Sequence, residues 1–190
     1  MTLLLLLIGA YMLGNVLTAS IISKFLYKKN IRVEGSGNPG ARNAGRVLGK
    51  KAFVATFIGD AVKGALTVLT ARWIGFEASV ELLALFVVML GHNYPVWLKF
   101  RGGMGVSTFI GGMLAFNPLL FAVFVGLFVV FYPILKSFTV AGLNAVVWIP
   151  TLVLAFAYGI PAFLMANFVA ALLLFAHRED LKEKIRLKKE

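Results

Sequence analysis

The chain of 190 residues contains no cysteine, which excludes disulfides, zinc knuckles, a thiolate nucleophile and a thioester intermediate on the protein. Charge is also scarce: 14% of the residues are charged, against about a quarter in soluble domains. Histidine occurs twice, at His92 and His177, with no carboxylate cluster nearby, so no metal site is expected. Apolar residues fill the chain instead, at 60% of the total with a mean hydropathy of +0.89. That composition belongs to a membrane protein. The net charge of +11 is then first a topology signal and only second a sign of an anionic partner; it requires no nucleic acid.

A hydrocarbon core about 30 Å thick takes roughly 20 apolar residues to cross as a helix. Stretches of suitable character run over 3–22, 52–71, 73–98, 119–135, 137–157 and 160–176, while 104–116 is too short for an upright crossing and ends at Asn117 and Pro118. The expected fold is therefore all-α, a polytopic membrane protein of about seven transmembrane helices including one short one. No positive residue precedes the first stretch and Lys24, Lys28 and Lys29 follow it, which favours a retained span over a secretory signal. With the N-terminus outside and the C-terminus cytoplasmic, every Lys and Arg except Lys63 and Arg72 falls on the cytoplasmic side, as positive-inside topology requires. No internal repeat or second domain is visible, so residues 1–190 read as one domain. The tail, from His177 to Glu190, has Leu181, Ile185 and Leu187 as its apolar positions. It suits either a short amphipathic helix on an anionic leaflet or a solvated end.

Two loops carry the candidate chemistry. The first reads GSGNPGARNAGR from Gly35 to Arg46. Such glycine density lets backbone N–H groups approach and surround an anion, and Ser36 and Asn38 can donate hydrogen bonds. Arg42 and Arg46, four residues apart, supply fork-shaped cations if the segment is helical. The alternative is a flexible polar connector. Gly40 to Arg46 nearly imitates a nucleotide-binding P-loop, but Arg46 and Val47 stand where Lys and Ser or Thr are needed. The second loop, within GHNYPVWLKFRGGMGVST at 91–108, places Lys99, Arg101, Gly102 and Gly103 ahead of the short segment. A glycine turn feeding a helix start offers unpaired N–H groups and partial positive charge to an anion; ordinary interfacial anchors and a plain turn are the other reading.

Asp60 and Lys63 lie one turn apart inside the second span, where a charge is costly, so the two are expected to pair and face the protein interior. Such a pair either supports the site or contacts substrate. His92 fits a buried, hydrogen-bonded imidazole. His177, beside Arg178 at the inner interface, suits a phosphate contact or a general base.

In these residues the chain resembles the bacterial acyl-phosphate:glycerol-3-phosphate acyltransferases. The likeness covers essentially its whole length: SGNPGARNAGR at 36–46, the Asp60, Lys63, Gly64 pattern, GHNYPVWLKFRGG at 91–103, and a tail opening with His177 and Arg178. The resemblance implies transfer of a fatty acyl group from acyl phosphate to the 1-hydroxyl of glycerol 3-phosphate, giving lysophosphatidic acid and inorganic phosphate for phospholipid synthesis. It implies a multi-pass protein of the bacterial cell membrane with its active site facing the cytoplasm. Its substrates and membrane lipid are the partners, with no cofactor, metal or obligate protein partner. Ser36, Arg46, His177 and the lysine site occupied here by Met104 become the expected catalytic positions. Gly37, Asn38, Arg42, Asn43, Lys63, Gly102 and Gly103 become the expected phosphate-binding ones.

Two positions depart from the family pattern. The second loop of the family resembles KGGKGVAT, whereas this chain has Arg101 for the first lysine and Met104 for the second. Methionine keeps the length of lysine but loses its charge and its three donors, so impaired activity is expected. Asp180 stands near a position where the family usually has Asn. The His plus four residues plus Asp arrangement of other glycerol-phosphate acyltransferases is absent, since Trp97 follows His92 and Lys182 follows His177 at that spacing. A small organic-phosphate transporter is the rival reading, weakened by the lack of two similar halves and of basic loops on both faces. A purely structural membrane protein is a third.

Overall fold

The computed structural model describes residues 1–186, and among the described residues every regular element is helical. Helices α1 (Thr2–Gly14) and α2 (Thr18–Phe25) together make the first apolar span, and α3 (Ala41–Leu48) lies in the loop that follows. Next come α4 (Lys50–Trp73), α5 (Ala78–Asn93) and, after a 3₁₀ turn at Val96–Leu98, the short α6 (Val106–Phe116). The chain continues through α7 (Pro118–Leu135), α8 (Phe138–Val147), α9 (Ile149–Ala155), α10 (Gly159–Ala176) and α11 (Arg178–Arg186). Among the described residues six spans are long and apolar enough to cross a bilayer, with α8 and α9 sharing one, and α6 is the short seventh. This is the all-α, membrane-spanning architecture expected.

The first span differs from expectation in being broken. A Gly–Asn pair interrupts its apolar run, and residues 15–17 leave the helix. In a membrane each backbone group freed by such a break must find a partner within the protein. Here the Asn15 amide donates to the Tyr11 carbonyl at 2.6 Å and accepts the Val96 N–H at 2.7 Å, while Lys63 takes the Gly14 and Val16 carbonyls. The expected stop at Asn117 and Pro118 is real: the Asn117 side chain accepts the N–H groups of Leu119 and Leu120, both at 2.9 Å, capping α7 with Pro118 in its first turn.

Without a strong hydrophobic drive between helices in lipid, close backbone approach at small residues binds the bundle. A methyl group on Gly64 would strike the Thr108 carbonyl of α6, and one on Gly111 would strike the Ala61 carbonyl of α4. The α1–α5 crossing is equally tight, where Gly14 meets Gly91. Around these crossings Leu82, Leu85, Met89, Phe109, Met113 and Leu120 form a buried core. At one end of the bundle the Arg72 guanidinium grips Glu81 with two bonds of 3.0 and 2.6 Å and the Phe116 carbonyl at 2.7 Å, tying α4, α5 and α6. At the other end lie the two glycine-rich loops and α11. Leu181 of α11 packs on the main core, and Leu187 lies outside the described residues.

Candidate active site

The loops after the first and third spans meet. The Arg32 guanidinium, in the first loop, donates to the Leu98 carbonyl of the second at 3.3 Å. A cavity of about 330 Å³ is lined by Ser36, Gly37 and Asn38 from the first loop and by the run Phe100 to Met104 from the second. Asn93 and Tyr94 close it from the end of α5, and Ala176 and Arg178 from the junction of α10 and α11. Segments more than a hundred residues apart in sequence thus build one polar cup.

Each wall is fixed by local chemistry. In the first loop the keystone is Asn43 on α3: its carboxamide oxygen accepts the Ser36 N–H at 3.0 Å, and its nitrogen donates to the carbonyls of Ile31 at 3.3 Å and Glu34 at 2.9 Å. This buried side chain is committed to shaping the loop that presents Ser36, a role different from the phosphate contact expected of it.

The second loop is stitched to the end of α5. The Gly102 N–H donates to the Asn93 carbonyl and the Gly103 N–H to the His92 carbonyl, both at 3.0 Å. These two amides are therefore spent, and the unpaired N–H groups expected of the glycine pair belong instead to the start of α6, whose opening turn has no intrahelical acceptors. Glycine at 102 and 103 is required by proximity. An added methyl at Gly103 would collide with Nε2 of His92, and one at Gly102 with the His92 carbonyl.

Beneath this loop is a buried polar cluster. Nζ of Lys63 lies 3.0 Å from Oδ1 of Asp60, 2.7 Å from Nδ1 of His92, 2.7 Å from the Val16 carbonyl and 3.3 Å from that of Gly14. Thr18 of α2 donates to the same Asp60 oxygen at 3.0 Å. Asp60, Lys63 and His92 are 1%, 4% and 2% exposed, so the charges are paired within the protein as the sequence requires. A donating ammonium makes Nδ1 of His92 the acceptor, which leaves the ring proton on Nε2, against Gly103. Lys63 is absent from the cavity lining, and its contacts join the break in the first span to α4 and α5.

Other expected residues take several places. Met104 is half-buried and lines the cavity immediately before α6. Arg42 and Arg46 do fall on a helix, α3. Arg42 donates to the Thr139 hydroxyl of α8 at 3.4 Å, whereas exposed Arg46 has no hydrogen-bond or ion-pair partner among the described residues. His177 is 6% exposed at the end of α10, between the cavity-lining Ala176 and Arg178. Its Nδ1 lies 2.9 Å from the Leu173 carbonyl, which can only accept, so Nδ1 carries the proton and a neutral ring keeps its lone pair on Nε2. The Arg178 guanidinium stacks 4.2 Å from the Phe175 ring centroid. Asn93, Tyr94 and Phe100 were not singled out in sequence. Only their neighbourhood, the stretch between His92 and Gly103, signalled them.

Spanning helices, a short helix and a cavity walled by two basic, glycine-rich loops define an integral membrane protein with a candidate site at one end of its bundle. A model of the glycerol-3-phosphate acyltransferase family matches residues 4–187, and the chain belongs to that family. It is 45% identical to glycerol-3-phosphate acyltransferase 1 of a Bacillus cereus strain over 91% of this chain and 95% of that protein. It is 36% identical to glycerol-3-phosphate acyltransferase 1 of Desulfitobacterium hafniense over 94% and 88%. The crystal structure of PlsY, an integral membrane glycerol 3-phosphate acyltransferase, in its glycerol 3-phosphate form superposes with a TM-score of 0.88 at 30% identity, covering 98% of this chain and 93% of that one. The lysophosphatidic acid form gives a TM-score of 0.86 at 31% identity over the same shares.

Proposed function

We propose that this chain, acting as a single domain, transfers a fatty acyl group from acyl phosphate to the 1-hydroxyl of glycerol 3-phosphate at the cytoplasmic face of the bacterial cell membrane, with its N-terminus outside and its C-terminus in the cytoplasm. The observation that carries this reading is the cup itself, in which both glycine-rich loops and the start of α11 line one cavity. The relatives' names support the acceptor, and the distribution of basic residues supports the orientation.

Acyl phosphate is a mixed anhydride and already activated, so an acyl-enzyme is not needed. The hydroxyl oxygen of glycerol 3-phosphate adds to the acyl carbonyl, the carbon–oxygen bond to phosphate breaks, and inorganic phosphate leaves with that bonding pair. The hydroxyl proton passes to Nε2 of His177 or to a phosphate oxygen. The protein's task is to hold two anions of like charge side by side, with the reacting atoms about 3–3.5 Å apart, and to offset charge developing on the carbonyl oxygen and departing phosphate. The side chains of Ser36 and Asn38 and the free N–H groups opening α6 serve that purpose, while Gly37, Gly102 and Gly103, whose N–H groups are bonded within the loops, let the two backbones come close. Arg46 and Arg42 supply cations from α3. Met104 occupies the place where a lysine would add another. The acyl chain lies among the apolar spans, so both membrane lipid and substrate meet the site at the inner leaflet.

Purified protein incubated with palmitoyl phosphate and radiolabelled glycerol 3-phosphate is expected to release labelled lysophosphatidic acid together with inorganic phosphate. Uptake of label into proteoliposomes without lipid product would replace this reading with the carrier one.

A further inference from the structure

Asn93 ends α5 and is 4% exposed, yet neither the oxygen nor the nitrogen of its carboxamide has a hydrogen-bond partner among the described residues. It stands in the cavity wall, between His92, whose Nδ1 is bonded to Lys63 beneath the loop, and Tyr94. Its backbone is held by the bond from the Gly102 N–H, and its side chain has just enough room because residue 105 is glycine: a methyl there would lie 2.8 Å from Oδ1. Gly105 has φ of +78° and opens α6, so the amide is seated where the anion-receptive helix begins. Buried polar groups are almost always paired, so a carboxamide without a partner among the described residues is completed by water or by a ligand, and its place in the cavity wall favours the ligand.

Ligand chemistry narrows the choice. A phosphate group offers acceptors alone, which suit Nδ2 but bring negative charge against Oδ1. A hydroxyl both donates and accepts and satisfies either end. Of the two hydroxyls on glycerol 3-phosphate, the one at C1 must stay free to attack, which leaves the one at C2. We propose that Asn93 is a specificity-determining residue that recognises the C2 hydroxyl of the acceptor. This rests on the acyl-transfer reading above and adds to it the group that tells glycerol 3-phosphate from a plain hydroxyalkyl phosphate.

The test compares kcat/KM for glycerol 3-phosphate and for 3-hydroxypropyl phosphate, which lacks only the C2 hydroxyl, with palmitoyl phosphate as donor. A site that binds a hydroxyl discriminates strongly against the analogue without it, so the wild-type protein is expected to prefer glycerol 3-phosphate by well over about tenfold. In Asn93→Leu the preference is expected to shrink at least about tenfold, through a raised KM for glycerol 3-phosphate, while the analogue is used nearly as before. A merely structural role would slow both substrates alike and leave their ratio unchanged. Asn93→Ala, which only removes atoms, takes the place of the leucine variant if that protein does not fold. A weaker wild-type preference, or a smaller change in the ratio, overturns the assignment. If neither the wild-type protein nor Met104→Lys makes any lysophosphatidic acid, the acyl-transfer reading is overturned instead, and the assignment falls with it.

Discussion

Nε2 of His92 lies so close to the backbone of Gly103 that no other residue fits there. The imidazole is in turn pinned by Lys63 at 2.7 Å, and Lys63 by Asp60 and two carbonyls of the broken first span. The floor of the cup is therefore set by a chain of contacts that begins at the middle of the bundle. Gly103→Ala must displace either the loop or the ring. Because misplacement by about 1 Å can cost a hundredfold, a fall in kcat/KM of between roughly ten- and a hundredfold is expected with little change in thermal stability. Kinetics in detergent alongside a melting curve check it.

Restoring charge at Met104 works in the opposite direction. A charge-assisted hydrogen bond contributes about 1.5–3 kcal/mol, so Met104→Lys is expected to raise acyl transfer by one to two orders of magnitude. Equal rates for both proteins would show that position 104 takes no part.

Arg46 is exposed and without a partner among the described residues, so its removal costs the fold little. Arg46→Ala is expected to lower kcat/KM at least about tenfold while the melting temperature stays within a few degrees. An unchanged rate removes it from the site. Arg42, already bonded to Thr139, is expected to matter less in the same assay.

Breaking the buried cluster is a matter of stability. Lys63→Ala leaves Asp60 as an uncompensated charge inside the bundle, a change that typically costs about 3–5 kcal/mol. Replacing both with leucine removes the uncompensated charge, so the double variant is expected to unfold at a higher temperature than Lys63→Ala. The reverse order would mean that an unpaired Asp60 is not what destabilises the single variant.

Much of this protein was legible in its sequence because a bilayer imposes simple rules. Length and apolarity located the spans, the short α6 and the stop at Asn117, and the cost of charge in lipid required Asp60 and Lys63 to pair. Glycine density and basic residues marked both loops. Other features depended on partners remote in sequence. The expectation for Asn43 missed that its carboxamide is used up by Ile31, Glu34 and Ser36, and the glycine pair was expected to offer amides that Asn93 and His92 take.

The sequence by itself determined an all-helical membrane protein with two anion-seeking loops, since hydropathy, charge placement and turn chemistry are properties of short stretches. Only the tertiary structure decided that the loops share one cup, that the first span breaks to feed Lys63, and that the Asn93 carboxamide, in the cavity wall, has no partner among the described residues. Those outcomes depend on which backbone atoms approach one another when helices pack, and no local pattern encodes a distance between residues so remote in sequence.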